Sequence, residues 1–105
     1  MTLTESQEEI LCRAIKVWGD KQQVIKAIEE MQELSKALCK WLNLDVKVVN
    51  GSLSESKLRD SIDEEIADVY IMLDQLRRIF GDVYLQNYID SKIHRLNSYI
   101  PKELK

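Results

Sequence analysis

Only four residues of the 105-residue chain interrupt helical backbone strongly: Gly19, Gly51, Gly81 and Pro101. They are spread along the sequence, and the long stretches between them repeat apolar residues at helical spacing. Sandwiches and barrels need turn residues far more often, and disordered chains are richer in Gly and Pro. What remains is a small number of long amphipathic helices. At 12.3 kDa the chain fits one compact domain, residues 1–105.

Local signals mark the helix ends. Thr4 with Gln7 reads as a capping box opening a helix that runs to Trp18 and stops at Gly19. Asp20 with Gln23 reads as a similar cap for a second helix reaching about Leu42. A third helix ends at Phe80 before Gly81, Asp82 is expected to cap the fourth, and Pro101 closes it. The start of the third helix is open, because Ser52 with Glu55 and Ser61 with Glu64 both read as capping boxes. In the intervening NLDVKVVNGSLSES, Leu44, Val46 and Val48 alternate and Asn50-Gly51 signals a turn. One strand cannot form a sheet, so a loop with local order is expected. The expectation is an all-α four-helix bundle, with helices at about 4–18, 20–42, 54–80 and 82–99.

Charge and composition narrow the function classes. Fifteen basic against eighteen acidic residues give a net charge of −3, which disfavours a nucleic-acid polymer as partner. The N-terminal MTLTESQEE has no basic or apolar leader character, and apolar runs are short. The chain therefore reads as neither a membrane protein nor a secreted precursor, and a cytoplasmic location is expected. Cys12 and Cys39 form no CxxC pair and read as reduced, buried thiols. With His94 the single histidine, expected solvated, the sequence offers no Cys–His zinc set.

Helical wheels place the acidic residues. In the second helix Val24, Ala27, Ile28, Met31, Leu34, Leu38, Trp41 and Leu42 form one broad apolar arc, with Glu30 and Glu33 on its shoulder. In the third, Ile62, Ile66, Val69, Tyr70, Leu73, Leu76 and Phe80 form the arc, with Glu65 and Asp68 at its edge. Acidic pairs also arise on solvated helix faces in any chain with eighteen acidic residues. Two pairs beside the apolar arcs of the two longest helices are a stronger signal. Four converging carboxylates repel one another, and a divalent cation removes that cost. All-oxygen donors suit a hard ion, Mg²⁺ or Mn²⁺.

These residues carry a resemblance. WGDKQQVIKAIEEMQELSKAL followed by DEEIADVYIMLDQL resembles the MazG-like all-α nucleoside triphosphate pyrophosphohydrolases, whose hallmark is an ExxE on one helix and an ExxD on a later one. Here these are Glu30–Glu33 and Glu65–Asp68, and the likeness runs from about Trp18 to Lys92 and beyond. The 31 residues between Glu33 and Glu65 are towards the long end for that family. The resemblance implies Mg²⁺-dependent hydrolysis of a nucleoside triphosphate to the monophosphate and pyrophosphate, and a deoxynucleoside triphosphate is the expected substrate. It also implies a homodimer or homotetramer, which the breadth of the apolar arcs independently favours. Glu30, Glu33, Glu65 and Asp68 become the metal ligands, with Glu33 also assigned to orient or deprotonate the attacking water.

On the fourth helix Tyr84, Tyr88, Lys92, Arg95 and Tyr99 lie beside the stripe of Leu85, Ile89, Ile93, Leu96 and Ile100. Such side chains often just snorkel at a core edge, but the resemblance favours Lys92 and Arg95 as phosphate contacts. Trp18 and Trp41 could stack on a base or pack, and Gln22 and Gln23 fall where the family reads nucleotides or orders a loop. Lys26 shares the Glu30 shoulder and could pair with it at i+4. Two other readings stand beside the first. Phosphoribosyl-ATP pyrophosphohydrolases also carry acidic pairs, but typically with a histidine soon after the motif aspartate, where this chain has VYIMLDQL. A non-catalytic helical oligomerisation module would use the same pattern with no chemistry.

Overall fold

The computed structural model describes residues 2–43 and 55–104, which form four α-helices and no strand. They are α1 (Glu5–Trp18), α2 (Asp20–Leu42), α3 (Glu55–Phe80) and α4 (Leu85–Tyr99), followed by a short 3-10 turn at Lys102–Leu104. The expected loop order at 44–54, and Ser52 as a cap, lie outside the described residues. Ser61 and Glu64 sit inside α3 and start no helix.

The first capping box is formed. The Gln7 amide donates to Thr4 Oγ1 at 3.2 Å, and the Thr4 amide donates to Gln7 Oε1 at 2.9 Å. Two other expected caps are not used. Asp20 is the first residue of α2, whose cap is Gly19 with no side-chain hydrogen bond. The Asp82 carboxylate instead takes the Arg77 guanidinium at 2.9 Å, and α4 begins at Leu85 rather than at 82. Gly81, at φ 86°, adopts the left-handed backbone that ends α3, and its amide donates to the Arg77 carbonyl. The same arginine thus meets both the carboxylate and the backbone of the elbow between α3 and α4.

α2 and α3 run antiparallel and form the main packing of the chain. Gln23 near the start of α2 meets Gln75 near the end of α3, and Glu30, seven residues on, meets Glu65 and Asp68. The covered line on α2 is Gln23, Ala27, Glu30, Leu34 and Ala37; on α3 it is Leu58, Ile62, Glu65, Val69, Met72 and Gln75. These are spacings of three and four, one side of each helix. Ala27 and Ala37 are both buried, and their small side chains let the axes approach.

This covered line lies on the shoulder of each wheel. The centre of each apolar arc does not face the neighbouring helix; its edge does. Ile28, Met31, Leu38, Ile66, Tyr70 and Leu73 remain exposed. A single seam is too narrow to cover an arc nearly half a helix wide. Cys12 and Cys39 are likewise exposed, not buried, and both are free thiols.

α1 packs at the end where α2 begins and α3 finishes, with none of its residues buried. Polar contacts hold it. Gln75 Nε2 donates to the Leu11 carbonyl at 3.1 Å, and Arg78 reaches Cys12 Sγ at 3.4 Å and Glu8 at 3.7 Å. Asp74 fixes the Arg78 guanidinium at 2.6 Å. α4 leaves the pair at the Gly81 elbow with no buried residue, and beside the elbow its Leu85 and Ile89 share a groove with Tyr70 and Leu73 of α3. Among the described residues, no helix is long and apolar enough to cross a membrane.

Candidate metal centre

The register of the α2–α3 pair decides which carboxylates meet. With Gln23 set against Gln75, two turns along α2 bring Glu30 opposite the Glu65–Asp68 turn of α3. One oxygen from each of Glu30, Glu65 and Asp68 lies within 4.8 Å of the others. Glu30 and Glu65 belong to the covered line itself, so both are half-buried. Their positions follow from the i, i+3 spacing noted in the sequence.

Electrostatics at this point are unfavourable to three ionised groups. Partial burial is the first cause that lifts the Glu65 pKa above the ordinary carboxylate range; the charges of Asp68, Glu30 and Glu33 add to it. Asp68 is lifted by loss of hydration, by the charge of Glu30, and by a hydrogen bond to Glu30 that its neutral form makes. Lys26 opposes this from one side. Its ammonium lies 2.9 Å from Glu30 Oε1, at i+4, and that hydrogen bond raises the lysine pKa. Glu65 Oε2 is buried and has no hydrogen-bond partner.

Acidic trios are common on protein surfaces without an ion. This one combines half-buried ligands, a protonation-favouring field and an unpaired buried oxygen. An all-oxygen donor set of this kind fits a hard divalent cation and offers nothing to a soft one.

The remaining candidates are placed differently. Glu33 is exposed and outside the trio, although its charge reaches Glu65. Gln23 is buried, and its carboxamide oxygen accepts from Gln75 at 3.2 Å, so it serves the helix junction. Trp18 is exposed at the end of α1, and Trp41 is about half exposed near the end of α2. Lys92 and Arg95 are exposed on α4, which the chain does not bring to the trio, and His94 is exposed there too. Sequence reasoning did not single out Gln75. Its signal was a polar residue on the same helical line as Leu58, Glu65 and Met72, a position where an amide needs a specific partner. No family model matches this chain, and no curated protein or solved structure matches it.

Proposed function

We propose that the chain is a nucleoside triphosphate pyrophosphohydrolase acting with Mg²⁺, or Mn²⁺, held by Glu30, Glu65 and Asp68. The observation that carries the reading is the convergence of these three carboxylates on the α2–α3 seam, with a buried Glu65 oxygen left without a partner. The order of the ExxE and ExxD motifs, and their resemblance to MazG-like enzymes, supports the choice of reaction. A bound divalent ion would supply charge neutralisation for the phosphates and acidify a water. The chain's own residues supply the rest. Glu30, Glu65 and Asp68 hold the charge, Lys26 fixes the Glu30 carboxylate, and exposed Glu33 at the edge of the trio orients or deprotonates the water. Lys92, Arg95, Trp18 and Gln23 are not assigned to this site.

The test is a product assay with Mg²⁺ on the common ribo- and deoxyribonucleoside triphosphates, resolving pyrophosphate from orthophosphate. Pyrophosphate release that Glu30→Gln and Asp68→Asn abolish supports the proposal. Orthophosphate as the sole product, or release unchanged in both variants, refutes it. Phosphoribosyl-ATP belongs in the same assay as a competing substrate. Silence on every substrate, with no heat of Mg²⁺ or Mn²⁺ binding by calorimetry, would leave the non-catalytic helical module.

A further inference from the structure

The α2–α3 seam brings a cation to the carboxylate trio. The Lys26 ammonium lies 2.9 Å from Glu30 Oε1, and its charge also favours the ionised form of Asp68. The two partners of this ion pair differ in exposure: the Glu30 side chain is 13% exposed and the Lys26 side chain 55%. Glu30 is held by the seam, whereas the lysine approaches it from solvent. Helical geometry fixes the side of approach. Lys26 and Glu33 are rotated from Glu30 by about 40–60° in one sense, and Asp68 is rotated from Glu65 by about 60° in the same sense. Because α2 and α3 run antiparallel, that rotation carries all three to one side of the seam. Lys26 and Glu33 are exposed there, so this side is the mouth of the trio and the ammonium stands in it.

Two cations then share one carboxylate. When Glu30, Glu65 and Asp68 hold a divalent ion, a lysine paired with one of the three ligands sets a like charge beside that ion. At close range such a charge weakens the ion's binding by about tenfold, even with water-like screening. A nucleoside triphosphate reverses the balance, because it brings about four negative charges to the mouth where the ammonium already stands. A lysine is a point charge with three donors on a flexible stem, which suits a phosphate oxygen and reaches it without movement of the backbone. Leaving Glu30 costs little, since an i, i+4 ion pair with one exposed partner adds little to a helix.

We propose that Lys26 passes from Glu30 to the substrate: it neutralises Glu30 while no nucleotide is bound, and turns to a phosphate oxygen of the triphosphate when one binds, leaving Glu30 to the ion. The inference rests on the reaction proposed above and names the contact that meets the substrate's charge. It gives to α2 the part that the resemblance gives to Lys92 and Arg95 of α4, which the chain does not bring to the trio.

The experiment is calorimetry of the full chain at pH 7 with two probes, Mg²⁺ alone and inorganic triphosphate at saturating Mg²⁺, with circular dichroism as the check on folding. Lys26→Met removes the charge and keeps most of the stem at a position more than half exposed. It is expected to bind Mg²⁺ about fivefold more tightly than wild type, and triphosphate about tenfold to a hundredfold more weakly. Lys26→Gln repeats the test with a neutral polar side chain. Lys26→Arg keeps the charge and should hold both constants within about threefold of wild type. Lys36→Met, which removes the same charge from an exposed position farther along α2, should change neither by more than about twofold. Opposite shifts of the two constants in the neutral variants support the proposal. Weaker Mg²⁺ binding in those variants overturns it, because the lysine then only positions Glu30 for the ion, and the proposed reaction stands. Unchanged triphosphate binding in them overturns it too. A wild type that binds no Mg²⁺, or binds Mg²⁺ but no triphosphate, removes the proposed reaction and this inference together.

Discussion

Gln75 is only 1% exposed and donates to two acceptors, the Leu11 carbonyl and Gln23 Oε1, while its own Oε1 has no partner. Those facts predict an uneven response to substitution. Gln75→Met keeps most of the volume and removes both hydrogen bonds, at about 1 kcal/mol each. It also removes a buried unsatisfied acceptor, whose desolvation costs about 1–3 kcal/mol. The acceptor removed from Gln75 is replaced by one left unpaired on buried Gln23 Oε1, so Gln75→Met should lose about 2 kcal/mol, the two hydrogen bonds. Gln75→Ala loses the same hydrogen bonds and leaves a cavity besides, giving a loss of about 3–5 kcal/mol. Gln75→Glu sets a carboxylate against two oxygen acceptors with no donor to offer, and should cost more than about 3 kcal/mol at pH 7. The assay is urea unfolding followed by circular dichroism at one fixed protein concentration. A Gln75→Met variant no more stable than Gln75→Ala, or a Gln75→Glu variant as stable as wild type, would refute this account of the α1–α2–α3 junction.

The acid cluster predicts an inverted pH response. Glu65 and Asp68 have folded-state pKa values raised above their unfolded ones, so the folded state holds the extra protons. Their contribution to stability then falls as pH rises from the ordinary carboxylate range through the raised values. Without divalent metal, lowering the pH from neutrality towards the ordinary carboxylate range should raise the melting temperature, and Asp68→Asn should flatten that rise; equal slopes in both proteins would contradict it. Adding 10 mM Mg²⁺ at pH 7 should stabilise wild type by about 1.4 kcal/mol if the dissociation constant is about 1 mM. Glu30→Gln should show no such gain by thermal shift. Gly81→Ala forces a Cβ into φ 86° where nothing else crowds it, so a backbone cost of about 1 kcal/mol is expected from denaturant melts. Thr4→Ala, which removes the capping oxygen of α1, should lose about 1 kcal/mol in the same assay.

The helices were legible in the sequence because their stops are local chemistry. Gly19 and Gly81 need no tertiary information to end a helix, and Thr4 needs only Gln7. Asp82 was misread for the same reason that Thr4 was read correctly. A cap is a competition, and the Arg77 guanidinium outcompetes a backbone amide for that carboxylate. The meeting of Glu30 with Glu65 and Asp68 was half legible: periodicity put each on the edge of an arc, but the register that joins them depends on long-range contacts such as Gln23–Gln75. Glu33 shows the limit of motif spacing, since i+3 from Glu30 carries it out of the seam while Asp68, i+3 from Glu65, stays within reach. What the wheels left open was which part of an apolar arc faces the nearest helix. An arc this wide has two sides to satisfy. The seam takes the side where Ala27 and Ala37 allow close approach and where the carboxylates sit. The side with Ile28, Met31 and Leu73 is then left for a different contact. Acidic seam and open apolar face are thus two consequences of one packing choice, set by where the small residues fall along α2.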